Sequence, residues 1–200
     1  MKSIAVYCGS STDLSASFHD AAKVIGNGIA LLNNSLVYGG GRIGLMGEVA
    51  QSAATHGAYV VGVITNKLVA HEQANETCDE LIVVHTMQER RTIMMERGDA
   101  FVVLPGGIGT YEEFFEVLVG RQLGYHQKPI GIVNIAGYYD PLVAMLDHGI
   151  EHKFIRPALK QLMFIDPCPK AVLQYVTSTE VVQPSPEEIL PMHSDGAQTK

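Results

Sequence analysis

The 200-residue chain carries 14 Lys+Arg against 21 Asp+Glu, a formal net charge of -7, and its sequence pI is near 5.6. That balance argues against a nucleic-acid partner held by bulk charge, since phosphate backbones are bound by basic surfaces. Hydrophobic residues make up 46% of the chain, enough for one globular domain with a sizeable core, and no run approaches the roughly 20 apolar residues of a membrane span.

The first apolar run, from Ile4, ends at Cys8-Gly9-Ser10-Ser11, too short for a signal-peptide core. Further β-branched runs predict strands, giving 4–8, 36–38, 59–64, 81–84, 100–104 and 130–133 in all. Helical patterns occupy about 13–32, 44–56, 86–97, 110–124 and 140–152 between them. Near-continuous apolar strands imply burial on both faces, and strand–helix alternation implies a parallel sheet. The expected fold is therefore α/β: doubly wound and Rossmann-like, a mostly parallel sheet with helices on both faces. Residues 1–180 form the single predicted domain, and Pro184, Pro186 and Pro191 among polar residues predict a loose tail over 181–200. Cys8, Cys78 and Cys168 are widely spaced with no Cys-x-x-Cys pair, which suits reduced thiols in a cytoplasmic protein.

In sheets of this kind ligands bind at the carboxyl ends of strands, and glycines mark three of those ends. Gly39-x-Gly41-x-x-Gly44 fits a dinucleotide fingerprint, yet no Asp or Glu lies between Glu48 and Glu72 to hold a ribose. A tight turn with close helix packing is the alternative. Pro105-Gly106-Gly107-Ile108-Gly109-Thr110 is more informative, because its amides and the start of the next helix offer an anion site of phosphate size. It lacks the Gly-Lys-Ser/Thr ending of a triphosphate-binding loop.

Thr110-x-x-Glu113 reads as a capping box. Glu112, Glu113 and Glu116 would nevertheless repel one another and a phosphate, which favours a catalytic carboxylate, and both readings stay open. Glu89-Arg90-Arg91 opens the preceding helix, where a guanidinium either lies in solvent or holds a phosphate or leaving base. The eight histidines are dispersed: His71, His85 and His126 are placed to approach these loops, no His-x-x-x-His or comparable metal spacing is expected to serve as a site, and no metal is assigned.

Four motifs carry a resemblance: Cys8-Gly9-Ser10-Ser11, Tyr38-Gly39-Gly40-Gly41-Arg42-Ile43-Gly44-Leu45-Met46-Gly47, Met87-Gln88-Glu89-Arg90-Arg91, and Pro105 through Glu113. In this order they resemble the LOG ("Lonely Guy") family of cytokinin riboside 5′-monophosphate phosphoribohydrolases, long labelled lysine decarboxylases. The resemblance, over about residues 3 to 175, implies hydrolysis of the N-glycosidic bond of a nucleoside 5′-monophosphate, with no cofactor. It implies Glu113 and Arg90 as the catalytic pair. Gly106, Gly107, Ile108, Gly109 and Thr110 would bind the phosphate, with further substrate contacts from Glu72, Arg91, Glu112, Ser10, Gly40, Gly41 and Met87. It also implies a homodimer or higher homo-oligomer, with Arg121 contributing at the interface. A pyridoxal-dependent decarboxylase is unsupported, since no Lys stands in any of the four motifs. The competing reading is a nucleotide-binding or sensory module using the same loops without catalysis.

Overall fold

The computed structural model describes residues 1–69, 73–178 and 184–189. Among them, seven strands form one sheet: β1 (Ser3–Tyr7), β2 (Ser35–Tyr38), β3 (Val60–Thr65), β4 (Glu80–Val84), β5 (Ala100–Val103), β6 (Ile130–Val133) and β7 (Phe164–Asp166). Their order is β4-β3-β2-β1-β5-β6-β7, and every neighbouring pair is parallel. The helices α1 (Ala16–Leu31), α2 (Gly44–Thr55), α3 (Met87–Arg97), α4 (Ile108–Gln122) and α5 (Asp140–Glu151) lie between strands, and α6 (Pro169–Thr177) follows β7.

The central strand shows why this sequence makes a three-layer sandwich. Ile4, Val6 and Cys8 face one core with the buried sides of α1, α2 and α6, while Ala5 and Tyr7 face the other with α3, α4 and α5. Successive side chains of a strand point to opposite faces, so a run with no polar residue must be covered twice. The doubly wound fold expected from the sequence is the one formed. The strand order reverses at β1, whose neighbours are β2 and β5; loops leaving β1 and β5 diverge there and open a crevice at the carboxyl edge.

Three details differ from expectation. β4 is an edge strand with Val83 52% exposed, so it is not covered on both faces. β7 and α6 carry no prediction: β7 has only three residues, all half-buried, too few for a periodicity. Within the stretch expected to be a loose tail, the turn α7 (Pro186–Ile189) places Ile189 in the second core, 5% exposed. No helix among the described residues is long and apolar enough to cross a membrane.

Candidate active site

The crevice is built on the Pro105–Thr110 turn after β5. Gly107, the N-cap of α4, has no side chain with which to cap it, and no acidic residue lies in the helix's first turn. The first N–H groups of an α-helix have no intrahelical acceptor and carry the positive end of the macrodipole, so the amides of residues 108–110 form an anion-receptive end. The turn is pinned from three directions. Gly9 N–H donates to Pro105 O at 3.0 Å, the Tyr138 hydroxyl to Gly106 O at 2.6 Å and the Tyr139 hydroxyl to Leu104 O at 2.7 Å.

The expected capping box at Thr110 does not form. Because the helix starts at Ile108, Thr110 lies inside its first turn, 4% exposed, and its hydroxyl packs where any side chain on Gly106 would collide. Glu113 turns inward to meet Arg90, whose Nη1 donates to Glu113 Oε1 at 3.1 Å.

Arg90 comes from α3, which is fully capped: Thr86 and Glu89 form a reciprocal capping box. The Arg90 Nε donates to Val63 O at 2.9 Å and its Nη2 to Gly39 O at 3.1 Å. One guanidinium thus ties β3, the turn after β2 and α4 together. Gly39 makes this approach possible, since a Cβ there would collide with Arg90 Nη2. Both members of the ion pair are buried, at 5% exposure each. Burial, and then the charge of Glu113, push the Tyr7 phenol well above its ordinary value, keeping a neutral hydroxyl beneath the pair.

The crowding of carboxylates has a local solution. Arg91 Nη1 lies 2.8 Å from Glu112 Oε1 and its Nε donates to Glu116 Oε2 at 3.0 Å. Each of the three glutamates on α4 is therefore matched by an arginine of α3, which relieves the expected repulsion.

Ser10, Met87, Arg90, Gly107, Gly109, Thr110 and Glu113 line one cleft of about 210 Å³. Gly106 borders an adjoining hollow of about 160 Å³ walled by Leu14, Phe18 and Tyr138. Other candidates lie elsewhere. Gly40, at φ +75, packs under Val63 and Ile64; Gly41 bridges to Ala74; the Ile108 side chain is 82% exposed; Arg91 and Glu112 pair outside the cleft lining. Glu72 falls outside the described residues. Gly44 packs against the Ser10 and Ser11 backbone at φ +57, so close packing accounts for the dinucleotide-like spacing. Arg121 is 4% exposed and donates to Leu162 O at 2.6 Å. A larger depression of about 660 Å³ around Arg42, Gln73 and Thr77 shares no residue with the cleft.

Cys8, Gly9, Ser11, Met46 and Leu68 also line the cleft, and no local pattern marks any of them as an individual candidate. Four of them lie in motifs already singled out. Tyr138 and Tyr139 carry no sequence signal either, because a hydroxyl that holds a backbone carbonyl leaves no spacing signature.

A parallel sheet whose switch-point crevice joins a glycine turn to a buried Glu–Arg pair defines a Rossmann-like protein with an anion-receptive cleft. Solved structures share the fold: a molybdenum cofactor binding protein from Rippkaea orientalis (TM-score 0.64, 22% identity, 85% of this chain and 92% of that one). The molybdenum cofactor carrier protein of Chlamydomonas reinhardtii is similar (TM-score 0.65, 20% identity, 86% and 93%). The family described as "Possible lysine decarboxylase" matches residues 46–176. The cytokinin riboside 5′-monophosphate phosphoribohydrolase LOG4 of Arabidopsis thaliana is 43% identical over 171 residues, 86% of this chain and 80% of the relative. LOG1 of the same plant is 38% identical over 199 residues, 100% of this chain and 89% of the relative. The chain belongs to the LOG family, whose named members are enzymes that hydrolyse an N-glycosidic bond. The decarboxylase wording finds no support in the cleft, whose lining includes no lysine among the described residues.

Proposed function

We propose that this protein hydrolyses the N-glycosidic bond of cytokinin riboside 5′-monophosphates, releasing the free adenine-type base and ribose 5-phosphate. The observation that carries this reading is the buried Arg90–Glu113 pair, 3.1 Å apart, in the same cleft as the uncapped start of α4. The activity is the one stated in the names of the relatives.

The amides of residues 108–110 take the 5′-phosphate. That remote anchor fixes the ribose and supplies binding energy for the bond-breaking step. The C1′–N bond then breaks with its electron pair leaving on the base. One water supplies hydroxide to C1′ and a proton to the base, so nothing else is consumed. Positive charge grows on the ribosyl ring, and Glu113 stabilises it and orients the water. Arg90 holds Glu113 in one orientation, and the second N–H on each of its Nη atoms is left to steady the nucleotide. Arg91, by pairing with Glu112 and Glu116, keeps their charge from repelling the phosphate, while Ser10 and Met87, which line the same cleft, contact substrate.

The decisive experiment is chromatographic detection of free base from isopentenyladenosine monophosphate, AMP and adenosine. Base is expected from the monophosphates and not from adenosine. Glu113→Gln should lower turnover roughly 10²–10³-fold while nucleotide binding persists. Saturable binding without release in the wild type would instead make the protein a nucleotide-binding module.

The same reading makes the enzyme a cytoplasmic homodimer or larger homo-oligomer. In its support, the outer side of α4 exposes Val119 and Leu123, followed by Tyr125 at 83% exposure. Specific activity should fall on dilution if the site is shared between copies; concentration-independent activity rejects that sharing.

A further inference from the structure

The last turn of α5 holds a group of side chains that base release leaves unused. His148-Gly149-Ile150-Glu151-His152 is a His-x-x-x-His spacing, which corrects the expectation that the sequence holds none; the two histidines stand one helical turn apart with Glu151 beside them, and one ligand atom from each lies within 4.8 Å of the others. The two imidazole rings touch, with centroids 4.3 Å apart. We propose that His148, Glu151 and His152 form a surface site for a divalent first-row transition ion of the zinc class.

The donor set selects the ion. Two imidazole nitrogens suit zinc, nickel or copper, whereas magnesium and calcium take oxygen ligands almost exclusively. Histidines at i and i+4 project from one face of a helix, which is why this spacing recurs in zinc sites. Glu151 adds an anionic oxygen as third ligand, and three protein ligands leave a fourth position open. The surroundings favour a cation as well, since a helix ends in partial negative charge. Asp147, the next carboxylate along the helix, is tied to Lys160 at 2.7 Å, so the set stops at three.

The backbone beneath the site is held in a fixed form. Lys153 follows the helix at φ +65; its N–H donates to Ile150 O at 3.0 Å and that of Phe154 to Gly149 O at 2.9 Å. These two bonds are a Schellman motif, in which the left-handed residue after the helix lets the chain satisfy its last carbonyls. The ligands therefore sit on a defined turn instead of a fraying end. α5 starts at Asp140 beyond the carboxyl end of β6 and runs back along the sheet, a helix of roughly 18 Å. The metal site consequently lies at the amino end of the strands, away from the crevice, and metal binding is expected to be independent of base release.

The test titrates zinc chloride into the untagged full chain by calorimetry, with the thermal midpoint measured alongside. One saturable site is expected, and zinc at about 100 times its dissociation constant should raise the midpoint by roughly 5–10 °C. The double variant His148→Ala/His152→Ala should lose both the heat and the shift while keeping wild-type base release. Magnesium chloride should give neither signal. Absence of zinc binding in the wild type, or zinc binding of wild-type strength in the double variant, overturns the proposal. A Cys168→Ser variant with unchanged zinc binding would show that the exposed thiol is not the ligand; loss of binding there would also overturn it.

Discussion

Helices α3 and α4 both begin beside the pattern Thr-x-x-Glu, as Thr86-Met87-Gln88-Glu89 and as Thr110-Tyr111-Glu112-Glu113. In α3, Glu89 N–H donates to Thr86 Oγ1 at 3.1 Å, and Glu89 Oε2 accepts from the Thr86 and His85 N–H groups at 3.0 and 2.9 Å. In α4 the helix has already started at Ile108, so Thr110 is too late to cap and Glu113 is turned toward Arg90. The capped helix presents a rigid arginine; the uncapped one presents its amides and a carboxylate held by that arginine. Leaving an N-terminus uncapped costs about 1 kcal/mol relative to a good cap, and α4 accepts that cost where a phosphate would serve as the cap.

The sharpest way to separate the two glutamate patterns is to remove one member from each. Glu113→Ala strands a buried guanidinium, so it should destabilise the fold by about 3–5 kcal/mol. Thr86→Ala removes only a surface cap and should cost about 1 kcal/mol, with turnover unchanged. Denaturant melts of the two variants decide this. Equal losses would mean that the Arg90–Glu113 pair does no more for the fold than an ordinary cap.

A smaller effect, of opposite sign on stability and on binding, is expected when α4 is given the cap it lacks. Gly107 sits at φ -91, and a Cβ there meets nothing within 4 Å, so Gly107→Asp fits without strain. Its carboxylate would accept from the first-turn amides and stabilise the helix by a few tenths of a kcal/mol. The same carboxylate would occupy and repel the phosphate position, and KM for a nucleoside monophosphate should rise at least about tenfold, or ~1.4 kcal/mol. A variant with a raised melting temperature and an unchanged KM would put the phosphate elsewhere.

These contrasts also mark how far the sequence could be read. The parallel α/β order was legible because β1, β2, β3, β5 and β6 are runs without charge, and burial on two faces admits few other arrangements. The cleft was legible through its glycines, since a turn needing close backbone approach restricts residue choice. What stayed hidden is the work done by contacts distant in sequence. Arg90 reaches Gly39 and Val63, 51 and 27 residues away, and nothing local in Glu-Arg-Arg reports that. Nor does Thr-x-x-Glu disclose which helix start it will cap, because that depends on whether the preceding glycines let the helix begin earlier.

The smallest effect concerns the charge on the α3 cap. Hydrogen bonds from the Thr86 and His85 backbone N–H groups hold the Glu89 carboxyl below its ordinary value of 4.5. A carboxyl whose value is lowered on folding binds its proton more readily in the unfolded chain, so its contribution to stability is present above the unfolded value and is lost as pH falls through the lowered folded one. Glu89→Gln keeps a hydrogen-bonding side chain and removes the charge. The wild type should therefore melt slightly higher than Glu89→Gln at pH 7, and the gap should close as the pH is lowered from about 4.5. Thr86→Ala offers the control: its Glu89 loses the side-chain contact with the cap, so adding Glu89→Gln there should change the acid end of the melting profile less than it does in the wild type. An equal change in both backgrounds would mean that the two halves of the box act independently, and that the capping of α3 resembles the bare start of α4 more than the geometry implies.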